Sequence, residues 1–190
     1  MRQAERRFIS LIVGVAVMSL ASASPAITPI KRSFSELVSQ AEFIVVGTIS
    51  QMQSLRLPDG AIVTDLTLGI LESMKGDKLP GSILTLRMLG GTVGDTQLLV
   101  AGAPQFRPGQ TVLLFVRGNT REMFPFVGVQ QGVFHVRPAE PPGAAHVLDW
   151  LGQPVTGIRD DEVLVDPGGA ETIAISVDEF LREIQRRLGP

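Results

Sequence analysis

Between Ile62 and Ile70 the chain alternates, with Ile62, Thr64, Leu66, Leu68 and Ile70 on one side and Val63, Asp65 and Thr67 on the other. A period of two marks a β-strand with one covered face. The same alternation returns in SILTLRML, where Leu84, Leu86 and Met88 share one face and Ile83, Thr85, Arg87 and Leu89 the other. Two runs, FIVVGTIS (Phe43–Ser50) and TVLLFVR (Thr111–Arg117), are apolar and uninterrupted, as expected of strands covered on both faces, and Gly47 marks a bulge or tight bend in the first. FPFVGVQQG predicts a further extended segment and GVFHVR, from Gly132 to Arg137, another strand. Turn chemistry separates these runs at Pro58-Asp59-Gly60, Lys75-Gly76-Asp77, Pro80-Gly81 and Gly118-Asn119. The helical signals lie at the two ends of this array. Ser33 and Glu36 have capping-box spacing ahead of Leu37, Val38 and Ala41. Ser176 and Glu179 repeat that spacing before FLREIQRRL, whose Phe180, Ile184 and Leu188 form one helical stripe.

Two stretches have weaker patterns. Gly90 to Pro108 is glycine-rich with only Leu98 to Val100 apolar, which predicts either a long loop or a broken excursion carrying one short strand. AEPPGAAHVLDWLGQPVTG reads as a proline-rich connection followed by a small hairpin around Asp149 to Gly152. Short strands at this spacing, separated by glycine turns, predict a mainly β fold of about five to seven strands closed as a small barrel or sandwich, with a short N-terminal helix and a docked C-terminal helix.

The chain opens with a basic start (Arg2, Arg6, Arg7), an apolar run from Phe8 to Leu20, and small residues suited to cleavage after Ala23 or Ala26. Residues 1–26 are therefore expected to be a secretory signal peptide with its cleavage region. That run is 13 residues long, short of the roughly 20 that a membrane-spanning helix needs. Residues 27–32 read as a linker and 33–190 as one domain. The chain is expected to be exported to the periplasm or beyond, with no membrane span after cleavage. Loss of residues 1–23 removes three of 17 basic and one of 19 acidic side chains, leaving 14 against 18, formally −4. No basic bias remains to hold a nucleic-acid backbone. The chain has no cysteine, so its stability rests on a packed core, and thiol catalysis, iron–sulfur clusters and cysteine-ligated zinc are excluded.

Candidate chemistry is sparse. In GGTVGD the glycines stand at 90, 91 and 94, not in dinucleotide-binding spacing, and TQLLVAGAPQ follows in place of an amphipathic helix. No lysine follows the glycines as a phosphate loop requires. His135 is expected to point to solvent with Val133 and Arg137. His146 with Asp149 is the nearest approach to a ligand pair, but zinc wants a third protein ligand. Asp160, Asp161, Glu162 and Asp166 form an acidic cluster without the alternating oxygens of a calcium loop. It is expected to be a solvated loop. Neither Gly-x-Ser-x-Gly nor Ser-x-x-Lys occurs. No cofactor is expected.

The succession ELVSQAEFIVVGTIS, VTDLTLGILESMKG and FRPGQTVLLFVRG resembles TIMP-like and netrin-module OB folds. These share a leading helix, a strand with a glycine bend, a strand closing on Lys-Gly, and a Phe-x-x-Gly lead into an apolar strand. Gly-Gly-x-x-Gly at 90–94, the proline loop Gly102–Pro108 and VGVQQGVFHV are similar to an uncharacterised exported bacterial domain found ahead of some matrixin-type metalloproteases. The resemblance covers about residues 35–136 and implies an OB-like barrel. The cysteine through which TIMP inhibitors bind protease zinc has no counterpart here. An OB-like scaffold implies recognition through faces and loops, so the expected function is a non-catalytic module binding a protein or peptide of the cell envelope. The alternatives are a cofactor-free hydrolase using carboxylates and His146, or a calcium-binding envelope protein. The expected recognition surface is a mobile rim comprising Arg87, Gly90, Gly91, Thr92, Val93, Gly94 and Asp95, with Phe106.

Overall fold

A computed structural model describes residues 30–138, 143–168 and 173–189. The expected signal segment, the first half of the linker (27–29) and the 139–142 part of the proline-rich connection lie outside the described residues. The chain order is α1 (Phe34–Gln40), β1 (Phe43–Arg56), β2 (Ile62–Lys75), β3 (Ile83–Leu89), β4 (Gly91–Val93), β5 (Thr96–Leu98), β6 (Thr111–Val116), β7 (Val133–Arg137), β8 (His146–Leu148), β9 (Val155–Arg159), β10 (Glu162–Val165) and α2 (Val177–Leu188). Six strands form one antiparallel sheet in the order β3-β2-β1-β6-β7-β8, and β4-β5 and β9-β10 form two separate hairpins.

Apolar runs without alternation became central strands with both faces covered. Ile44 and Val46 of β1, with Leu113 and Phe115 of β6, face a core under the helices. Val45, Ile49, Val112, Leu114 and Val116 face a second core on the other side. In β2 and β3 the alternation places Leu66, Leu68, Ile70, Leu84, Leu86 and Met88 in that second core. Pairing of β1 with β2 slips at Val46/Gly47, where a side chain on Gly47 would stand 2.8 Å from the carbonyl oxygen of Gly69. The bend expected there is a bulge that needs glycine.

Both helices start where their capping signals lie. Ser33 accepts from Glu36 N, and Glu36 returns a bond to Ser33 N. The other first-turn amides of α1 are taken by Leu37 N to Ser33 O (3.0 Å), Phe34 N to Asp161 O (2.7 Å) and Ser35 N to Asp161 Oδ1 (3.0 Å). All four orphan donors of the helix start are thereby bonded. α2 docks through Phe180, Leu181 and Ile184, with Leu188 partly buried against the same core. Phe180 lies 5.3 Å from Phe34 and 4.9 Å from Phe134, ring centre to ring centre. Each buried ring of this kind contributes on the order of 1.5–3 kcal/mol by leaving water.

The main sheet does not close into a barrel among the described residues, and β3 and β8 end it. The connection after β6 runs back to β3. Asn119 accepts from Arg87 N (3.1 Å) and donates to Thr85 O (2.8 Å), while Leu89 N donates to Met123 O (2.8 Å). Phe124 and Phe126 then enter the second core. Asn119 and Met123 thus cap the β3 edge of the sheet. FPFVGVQQG is correspondingly a turn rather than an extended segment, with Val129 at φ 61° and a single bridge from Phe126 to Val116. The acidic stretch at 160–162 spans the turn of the β9–β10 hairpin, with Asp160 and Glu162 exposed as expected of a solvated segment. Asp160 and Asp161 occupy its turn at φ 51° and 61°. Aspartate tolerates the left-handed region because its short side chain bonds locally.

Candidate functional site

The glycine stretch is a two-stranded hairpin, not an irregular loop. Gly91–Val93 pairs with Thr96–Leu98, and Gly94 (φ 56°) with Asp95 makes the two-residue turn. The chain reverses sharply out of β3 at Gly90 (φ 101°) and Gly91 (φ 132°). Two hydroxyls from neighbouring strands hold that reversal. Thr64 Oγ1 donates to Gly90 O (2.7 Å) and is bonded to Ser54 Oγ (2.9 Å), while Thr92 N donates to Ser54 Oγ (3.3 Å). Gly90 N donates to Ile62 O (2.8 Å). A side chain at Gly91 would meet Thr64 Oγ1 at 2.3 Å, so glycine is required by contact as well as by φ. Ser54 and Thr64 escaped the sequence reading. The available signal was a threonine on an otherwise aliphatic face.

Between this hairpin and the loop ahead of β6 lies a cleft of 260 Å³. Gly90, Gly91, Thr92 and Phe106 line it, together with Met52 and Met88. Leu99, 76% exposed, is also part of its lining. Four of the eight expected residues are therefore brought together. Val93, Gly94 and Asp95 extend into the hairpin and its tip, outside the lining. Arg87 stands on the other face of β3, where its guanidinium makes two 2.7 Å bonds to Asp65. That carboxylate raises the pKa of Arg87 above its ordinary value. Arg87 is thus a cross-strand partner and not part of the cleft.

His135 lies inward, contrary to expectation. Its partition with Val133 is as the alternation requires, but that side of β7 faces the second core and the Phe106 loop rather than water. The imidazole sits 6.4 Å from the Phe106 ring centre. Its Nδ1 is buried without a hydrogen-bond partner among the described residues. Burial lowers its pKa below the ordinary histidine value, against smaller opposing effects of the Trp150 main chain and the Asp149 charge.

His146 and Asp149 serve the backbone. His146 Nδ1 is 2.8 Å from Ala174 O, and Asp149 Oδ1 accepts from Leu151 N (2.9 Å) and Gln153 N (2.8 Å). Asp161 Oδ1 also takes the Ser35 hydroxyl (2.7 Å), and hydrogen bonds from Ser33 and Ser35 lower its pKa. Glu162 pairs with Lys31, and Asp166 Oδ1 accepts from Gly168 N. Among the described residues no three His, Asp or Glu side chains gather as a metal would need. A larger cavity of 340 Å³, lined by Leu37, Phe134 and Trp150 among others, has Lys31 and Arg32 of the chain's own N-terminal stretch in its wall. Gln131 holds that stretch by accepting from Arg32 N (2.8 Å) and donating to Ile30 O (3.0 Å). No helix among the described residues is long and apolar enough to cross a membrane. Comparison with protein-family models, curated proteins and solved structures returns no match.

Proposed function

We propose that this chain is an exported, non-catalytic interaction module on an OB-like scaffold, which recognises a protein or peptide of the cell envelope through the cleft beside the β4–β5 hairpin. The observation that carries the reading is the cleft itself: a preset concavity with no charged side chain in its lining and with exposed Leu99 beside Met52, Met88 and Phe106. A concavity in which apolar side chains stand beside a few hydroxyl, amide and backbone polar groups is the usual form of a binding site. The hydroxyl clamp of Ser54 and Thr64 fixes its hairpin wall, so little ordering cost remains for binding. The likeness of the segment order to TIMP-like and netrin-module folds supports the scaffold, and the basic, apolar and small-residue succession of residues 1–26 supports export.

Photo-cross-linking tests this reading. A photoreactive residue replaces Leu99 in one chain and Leu71, exposed on the outer face of β2, in another. With envelope extract, position 99 should yield a discrete adduct that excess unmodified chain suppresses, and position 71 should not. Equal labelling at both positions, or none at 99, overturns the reading.

A further inference from the structure

The exposed strand edges of this molecule differ in a way that points to a ligand. Along β3, Asn119 and Met123 occupy Arg87 N, Thr85 O and Leu89 N, and the Asp65–Arg87 pair adds charge. Such capping prevents a foreign strand from adding to a sheet. Along β5 no comparable cap exists among the described residues. The two-residue turn makes Val93 and Thr96 the closing pair of the hairpin, so Gln97, opposite Thr92, turns its N–H and C=O away from β4. Thr92 N, which leaves the hairpin to reach Ser54 Oγ, has the matching phase on β4. Thr96, Gln97 and Leu99 are exposed, and none carries a charge.

We infer that the free edge of β5 takes an extended, uncharged peptide strand, whose main chain pairs with Gln97 and whose alternate apolar side chains enter the cleft against Met88 and Phe106. This rests on the reading of that cleft as the recognition surface. Strand addition holds a peptide by its backbone, and pockets for every second side chain select its sequence. The lining offers no opposite charge, so Lys, Arg, Asp and Glu are disfavoured at the inserted positions, where they would lose hydration without an ion-pair partner.

The probe is a peptide selected on the purified chain from a random phage-displayed library, then synthesised with both ends blocked. The selected peptide should be uncharged with alternating apolar residues, and its binding should slow hydrogen exchange at Gln97 N–H. Gln97→Pro removes that outward N–H at an edge position where proline is tolerated, and should weaken binding by about fivefold, the size of one net hydrogen bond. N-methylation of the alternate set that includes the peptide amide facing Gln97 O should weaken binding by about fivefold or more, and methylation of the other set should leave it. Should Gln97→Pro fold poorly, the exchange and N-methylation results decide. Binding that Leu99→Asp abolishes, but that ignores Gln97→Pro and both methylation patterns, overturns strand addition while the cleft reading stands. If no selected peptide depends on Leu99, both fall.

Discussion

Gly91→Ala places a methyl group inside the hydroxyl clamp. The added carbon would lie 2.3 Å from Thr64 Oγ1, 2.4 Å from Ser54 Oγ and 3.0 Å from Ser54 Cβ. Neither hydroxyl can yield freely, because Thr64 is 6% exposed and holds Gly90 O. Backbone strain at φ 132° contributes about 1–3 kcal/mol. Displacing Thr64 leaves the Gly90 carbonyl short of a partner, at about 1–3 kcal/mol. Together these predict a loss of about 2–6 kcal/mol, in the range of core substitutions. Gly94→Ala is the control: it also has positive φ, but nothing lies within 4 Å of the added carbon, and it should cost about 1–2 kcal/mol. Urea unfolding followed by circular dichroism measures both, with an unchanged m-value as the sign that stability alone moved. Thr64→Ala combined with Gly91→Ala should cost less than the two separately, because the first removes the atom that the second strikes. If Gly91→Ala is no more destabilising than Gly94→Ala, or if the double variant is additive, the clamp does not act as described.

Three further outcomes are expected. Burial holds the folded pKa of His135 below its ordinary value near 6.5. The unfolded chain therefore takes up its proton first, and stability present above the ordinary histidine pKa should be lost as pH falls through it toward the lower folded pKa; His135→Gln should flatten the melting-temperature profile over that window relative to wild type. Asn119→Ala removes both clip bonds to β3 and should cost about 1–3 kcal/mol, with faster hydrogen exchange at Arg87 N–H. Asp161→Ala strips the Ser35 amide and hydroxyl of their acceptor and should cost about 1 kcal/mol, as loss of a helix cap does; Asp161→Asn, which still accepts, should restore most of it in thermal melts.

Local pattern by itself determined the strands that hold 43–50, 62–70, 83–89, 111–116 and 133–137 and where both helices begin, but it misread FPFVGVQQG and did not announce β9 and β10. Alternation in 62–70 and 82–89 depends on side chains two apart, and the Ser33 and Ser176 caps bond residues three apart, so both are legible without knowing what packs opposite. The short residue types of GGTVGD announced a reversal for the same reason. What covers each face was decided only by tertiary structure. His135 lies on the side its alternation assigns, but the Phe106 loop covers that side. Asp161 belongs to a sequence-local turn, yet it is an α1 cap because β9–β10 brings it to Ser35, 126 residues away. The β3 edge is capped by Asn119, 32 residues from Arg87. The cleft depends likewise on Gly91 meeting Ser54 and Thr64 from two other strands. Those contacts depend on three-dimensional proximity between distant residues, and a periodicity of two or three and a half cannot encode it.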